Sequence, residues 1–190
     1  INSPSVVSGN IPVGASPVGM AYNSVNNYIY VSNSVDGTVS VINCLTNLVI
    51  TIITVGTNPT EMALNTLSNQ LYVVNFGSSN ISIIDCVTNT VTGSPISTVS
   101  ASNGIAYNPI NNSMYFSNLA AGTVKVLDCS TNIVTTTIAV AVGVVNFITY
   151  NSINNSIYVS SVSFDSVYVI DCNTNSLVGS PISVGNIPQQ

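Results

Sequence analysis

Apolar and polar positions alternate along this chain in short runs, and the runs recur. "TVSVIN" from Thr38 switches character at almost every residue, "LVITIITV" from Leu48 is β-branched nearly throughout, and "GMAYN" and "YIYVSN" flank an Asn-rich turn. Period-two alternation bounded by Asn, Gly and Ser is the pattern of half-buried strands joined by tight turns. No window carries the spacing of a helix of about ten residues. The prediction is an all-β chain.

The runs repeat as a unit. "MAYNSVNNYIYVSN" from Met20 aligns with "MALNTLSNQLYVVN" from Met62, "IAYNPINNSMYFSN" from Ile105 and "ITYNSINNSIYVSS" from Ile148, at offsets of 42, 43 and 43. The same offsets superpose "GTVSVINCLTN", "SNISIIDCVTN", "GTVKVLDCSTN" and "DSVYVIDCNTN", which end at Asn47, Asn89, Asn132 and Asn175. Four short strands in a unit of this length are the signature of a β-propeller blade. The expected organisation is an N-terminal arm over 1–12, blades over 13–54, 55–99, 100–141 and 142–184, and a tail over 185–190.

The segments "YVSN" at Tyr30, "YVVN" at Tyr72, "YFSN" at Tyr115 and "YVSS" at Tyr158, followed by "VSVIN" or "SIID" and then "TN", resemble the YVTN family of β-propeller repeats. The resemblance covers nearly all of residues 13–184. It implies a cell-surface propeller of the surface-layer type, extracellular, with no catalytic signature to carry over. Related propellers usually have six to eight blades, whereas this chain has four repeats. Three closures therefore stand: a small four-bladed ring, a larger ring completed by a second chain, or a piece of a longer array. "SGNIPVG" near the start resembles "SVGNIP" near the end, so residues 1–12 read as a surplus partial strand. That arm either pairs with an exposed blade edge of a neighbouring subunit or lies on its own blade.

Composition sharpens the functional reading. Only 4% of residues are charged, with net charge -5 and no histidine, against about 25% charged in an average domain. The acids are Asp36, Glu61, Asp85, Asp128, Asp165 and Asp171, and Lys125 is the one base. Nucleic acid is excluded as a partner, because phosphate binding requires several Lys or Arg. A surface so poor in charge has little repulsion between copies and favours self-association. No basic n-region or apolar h-region precedes the first repeat, which reads as a leader absent or already removed. "IVTTTIAVAVGVVNFITY", 133–150, is long enough to suggest a membrane span, but its Thr content, Gly143 and its place in the repeat argue against one.

Candidate chemistry is sparse. Without histidine the usual general base and the commonest neutral metal ligand are missing. Asp85, Asp128 and Asp171 are equivalent positions in successive repeats, with Asn43 in the first, so they read as turn-capping residues, and the Asn that closes each "DCxTN" tolerates a left-handed backbone. Asp36 and Asp165 lack the alternating acids of a calcium loop and read as turn residues. Glu61, alone in "PTEMALN", could line a central channel. No catalytic residue, metal site or cofactor is expected. Glycosylation sequons stand at Asn80, Asn111 and Asn154, the latter two at equivalent turn positions where a glycan would be exposed. The recurring tyrosines, among them Tyr30, Tyr72, Tyr115 and Tyr158, read as packing between blades, with a sugar-binding platform as the alternative.

Cys44, Cys86, Cys129 and Cys172 mark the end of each third strand. Packed sheets lie about 10 Å apart, whereas a disulfide needs Cα atoms within about 7 Å, so equivalent cysteines of one ring should not meet. They serve packing or bonding to another subunit. The functional expectation is a non-enzymatic, secreted, self-associating structural protein of a surface layer, fibre or adhesive assembly. The alternative is a secreted propeller that binds a glycan or peptide on its ring face.

Overall fold

A computed structural model of the protein describes residues 9–186 apart from 100 and 142. It contains four antiparallel sheets, each a simple meander in chain order. Blade 1 comprises β1 (Pro17–Asn23), β2 (Tyr28–Asn33), β3 (Thr38–Asn43) and β4 (Leu48–Thr54). Blade 2 comprises β5 (Pro59–Asn65), β6 (Gln70–Asn75), β7 (Asn80–Asp85) and β8 (Thr90–Ser97). Blade 3 comprises β9 (Ile105–Asn108), β10 (Ser113–Asn118), β11 (Thr123–Asp128) and β12 (Ile133–Ala139). Blade 4 comprises β13 (Val145–Asn151), β14 (Ser156–Ser161), β15 (Ser166–Asp171) and an outer strand in two pieces, β16 (Ser176–Leu177) and β17 (Ile182–Ser183). The uncharged stretch 133–150 divides between β12 and β13, in different blades, and no helix among the described residues is long and apolar enough to cross a membrane. Most of the arm over 1–12 and of the tail over 185–190 lies outside the described residues.

Asparagine builds the turns. The side chains of Asn23, Asn65, Asn108 and Asn151 accept the backbone N–H two residues on, at 2.8–2.9 Å. At the turn between the third and fourth strands, on the same end of each blade, Asn43, Asp85, Asp128 and Asp171 do the same, at 2.7–2.8 Å. Each turn then closes on an asparagine with positive φ: Asn27, Asn69, Asn112 and Asn155 at the first, Asn47, Asn89, Asn132 and Asn175 at the second. Asn tolerates this left-handed conformation better than other residues with a Cβ, because its short polar side chain bonds locally. The backbone N–H of Cys44, Cys86, Cys129 or Cys172 donates to the carbonyl of the first turn's closing Asn, tying the two turns together in every blade.

The apolar residues of the alternating strands meet between blades. One cluster joins blades 1 and 2 through Tyr30, Val39, Val41 and Ile53 against Met62, Leu71, Ile84 and Cys86. Equivalent clusters join blade 2 to blade 3 and blade 3 to blade 4. The inner strands approach closely. A Cβ on Gly19 would lie 2.4 Å from the Thr60 carbonyl oxygen, and one on Gly104 would lie 2.6 Å from that of Asn146. Glycine at those two positions is what lets β1 touch β5 and β9 touch β13.

The outer strand of blade 4 departs from expectation. By its place in the repeat "SLVGSPISV", from Ser176, reads as one outer strand, but it forms two short pieces paired to β15, interrupted around Gly179 and Pro181. The same Gly-Ser-Pro in blade 2 is absorbed as an irregularity between Ile81 and Ile83, and β8 continues through it.

Candidate functional site

Each junction between blades carries a polar latch beside its apolar cluster. The Tyr30 hydroxyl donates to Asn89 Oδ1 at 2.7 Å, Tyr72 to Asn132 at 2.8 Å and Tyr115 to Asn175 at 2.7 Å. The second bond of the latch runs from Asn23 Nδ2 to Asn69 Oδ1, from Asn65 to Asn112 and from Asn108 to Asn155, at 2.6, 3.0 and 2.9 Å. Asn26 and Asn111 also donate from Nδ2 to the neighbouring blade's Cys86 and Cys172 carbonyls, and to the hydroxyl of their own blade's tyrosine. The turn residues of one blade are thus the acceptors for the tyrosine of the blade before it. Burial pushes the hydroxyls of Tyr30, Tyr72 and Tyr115 well above the ordinary tyrosine range.

Every blade carries both halves of this junction, so the array ends on two that are bare. On blade 1, Met20 is 72% exposed, whereas its counterparts Met62, Ile105 and Ile148 are 7%, 7% and 9% exposed. Tyr22 is exposed as well and Ile29 is half-buried where its counterpart Leu71 is fully buried, although Val31 and Ile42 of the same sheet stay buried. On blade 4, Tyr158, Val167 and Val169 are half-buried where the corresponding residues of the other blades are fully buried. Ile182 is 49% exposed, against 6% for Ile53 and Ile138. A groove of about 490 Å³ opens on this face, lined by Asn154, Tyr158, Val169, Asp171, Asn173 and Ile182 among others. Asn154 Nδ2 already donates to the Tyr158 hydroxyl at 3.0 Å, as Asn26 and Asn111 do to Tyr30 and Tyr115 at the first and third latches. No hydrophobic cluster of the described residues spans blades 4 and 1. A closed four-bladed ring would cover both faces; this chain leaves them open.

The residues singled out from the sequence fall into place around these junctions. All four cysteines are free thiols. Cys86, Cys129 and Cys172 are buried in the three junction clusters, and Cys44, on the bare face of blade 1, is only half-buried. Burial raises all three buried thiols, Cys129 to about 11, which makes them poor thiolates. Of the sequon asparagines, Asn111 and Asn154 are exposed, with Nδ2 engaged by tyrosine hydroxyls. Asn80 is half-buried and accepts from Asn75 Nδ2 at 2.8 Å. Asp36 Oδ2 accepts from the Ala15 backbone at 2.7 Å, and Lys125 Nζ donates to the Thr98 carbonyl at 3.1 Å. Asp165 is itself a positive-φ turn residue. Glu61 stands on the inner strand β5, where partial burial raises its carboxyl. No group of three or more His, Cys, Asp or Glu converges among the described residues. The pairing of tyrosine with an asparagine about sixty positions on was not anticipated. Its signal was the co-recurrence of both residues in every repeat.

No protein-family model matches the chain, and no curated protein matches it by sequence. Solved structures match the fold. Hydrazine synthase of Kuenenia stuttgartiensis superposes with a TM-score of 0.81 at 17% identity, over 94% of this chain and 52% of that one. U3-55K and the WD40 repeats of RRP9 both superpose with TM-scores of 0.78 at 14% identity, over 90% and 88% of this chain and 55% and 51% of theirs. The fold is that of a β-propeller. The chain spans about half the length of these propeller-containing chains.

Proposed function

We propose that the protein is a non-enzymatic structural subunit that self-associates into an extracellular layer, fibre or adhesive assembly. The observation that carries this reading is a chain of 190 residues with only seven charges, whose uncovered blade faces join copies and whose charge-poor outer surface lets the joined copies pack. Apolar surface of that kind is ordinarily covered by another molecule, and a charge-poor surface opposes contact between copies only weakly. The likeness of the four repeats to YVTN propellers supports a place at the cell surface, and the absence of histidine and of converging acids supports a role without catalysis. Hydration of such a surface would come from Asn, Ser and Thr, supplemented by glycans where the sequons are used.

Negative-stain microscopy of the native material tests the proposal. Ordered filaments or sheets are expected. Discrete particles that bind on a glycan array would overturn it in favour of a secreted binding module.

A further inference from the structure

We propose that the bare faces of blade 1 and blade 4 are the two halves of one interface, and that a second copy of this chain joins them head to tail, twice, closing an eight-bladed ring from two four-bladed chains.

The bare faces continue the pattern of the three junctions already built inside the chain. At the first and third of them the leading blade supplies a tyrosine hydroxyl and two asparagine Nδ2 groups, and the following blade supplies an asparagine Oδ1 from each turn and a cysteine carbonyl; at the second, where Ser68 replaces the second asparagine, the tyrosine and one Nδ2 remain. Blade 4 keeps the whole leading set in Tyr158, Asn151 and Asn154. Blade 1 keeps the whole following set in Asn47, Asn27 and the carbonyl of Cys44. The acceptor turns already hold the required backbone, with φ of 57° at Asn27 and 55° at Asn47, within a few degrees of their counterparts in blades 2, 3 and 4. A partner of unrelated sequence would have to reproduce this pattern, whereas a second copy carries it without alteration.

The apolar surfaces match in the same way. Tyr158, Val167, Val169 and Ile182 are the counterparts of Tyr30, Val39, Val41 and Ile53, which pack against Met62, Leu71 and Cys86 at the first junction. Their mates on a second copy would be Met20, Ile29 and Cys44. Asp171 is the one charged residue lining the groove on blade 4, and Asn173 already donates to its Oδ1. No like-charge pair would face across the contact.

Size and symmetry point to two copies. The chain spans about half of each matched propeller-containing chain, and a second copy would double its four blades to eight. A two-fold axis makes the two new junctions identical, the commonest symmetry of soluble oligomers, and a closed ring leaves neither face bare. The inner-strand residue alternates small and large in Gly19, Glu61, Gly104 and Phe147, and an eight-bladed ring preserves that alternation at the new junctions. This inference is separable from the assembly reading: discrete dimeric rings would sustain it while sinking the filament or sheet.

Native mass spectrometry and light scattering on the purified 190-residue chain test it. The expected species is two copies of the 19.7 kDa chain. A single chain, or an open series of three or more, overturns the ring. Met20→Asp should abolish the dimer while keeping the β-sheet circular dichroism, because Met20 contributes little to the core of its own chain. Tyr158→Phe should weaken it by about thirtyfold in Kd, having lost one hydroxyl bond at each of two junctions. Val87→Asp, on an exposed turn of blade 2, should leave it intact. Cys44 gives a second readout. It should be shielded from a thiol reagent in the native wild type and react in folded Met20→Asp; reaction in both forms overturns the proposal.

Discussion

At the level of single residues, asparagine does two jobs in this protein at once. Asn89 holds a φ of 55° and accepts the Tyr30 hydroxyl from the neighbouring blade. The two roles separate by mutation. Asn89→Gly keeps the left-handed backbone and loses the bond, for a cost of about 1 kcal/mol. Asn89→Ala loses both, for about 2 kcal/mol or more, since a left-handed backbone costs about 1 kcal/mol more with an ordinary side chain. Urea denaturation of the two variants should show that order, and equal stabilities would contradict it. The turn chemistry was legible beforehand because it is local: Asp85 and Asp128 sit two residues from the N–H groups they accept. The latch was not, because its two ends lie about sixty residues apart and nothing within one repeat names the partner.

The tyrosines carry a pH consequence. Burial raises the hydroxyls of Tyr30, Tyr72 and Tyr115 above their unfolded value near 10, so over that range the folded chain holds protons that the unfolded chain releases. Their contribution is complete below pH 10 and is lost as the pH climbs toward the folded values. Stability against urea should therefore fall steeply above about pH 10. Tyr72→Phe should start about 1 kcal/mol lower at neutral pH and fall less steeply. An unchanged alkaline slope in that variant would show that the hydroxyl is not the titrating group.

At the level of strands, the alternation of polar and apolar residues was enough to locate the sheets. "TVSVIN" became β3, with Val39 and Val41 buried toward blade 2. The broken strand at the end of blade 4 was not legible, because the same Gly-Ser-Pro triplet is carried within β8 in blade 2; local sequence does not separate the two outcomes. The glycines of the inner strands carry their own test. A methyl group on Gly104 would meet backbone atoms of β13 at 2.6 and 2.8 Å, which no rotamer change relieves. Gly104→Ala should cost about 3 kcal/mol through forced separation of blades 3 and 4, whereas a surface substitution such as Val87→Ser should change stability by less than about 0.5 kcal/mol. Chemical denaturation of the pair decides it, and equal stabilities would mean that the inner strands are not packed as described.

At the level of the whole molecule, the four-fold repeat and its propeller fold were readable from spacing alone, and the way the array ends was not. A repeat states how each blade meets the next but is silent on what meets the first and the last. The exposure of Met20, set beside the burial of Met62, is what distinguishes an open array from a closed ring. The four repeat-equivalent cysteines mark the same junctions, three covered and one half-buried at the open end. The number of blades that close a ring is therefore the deciding quantity. Single-particle electron microscopy of the purified chain counts them directly: class averages with eight blades around a two-fold axis are expected, and isolated four-bladed arcs or closed four-bladed rings would refute the two-chain ring.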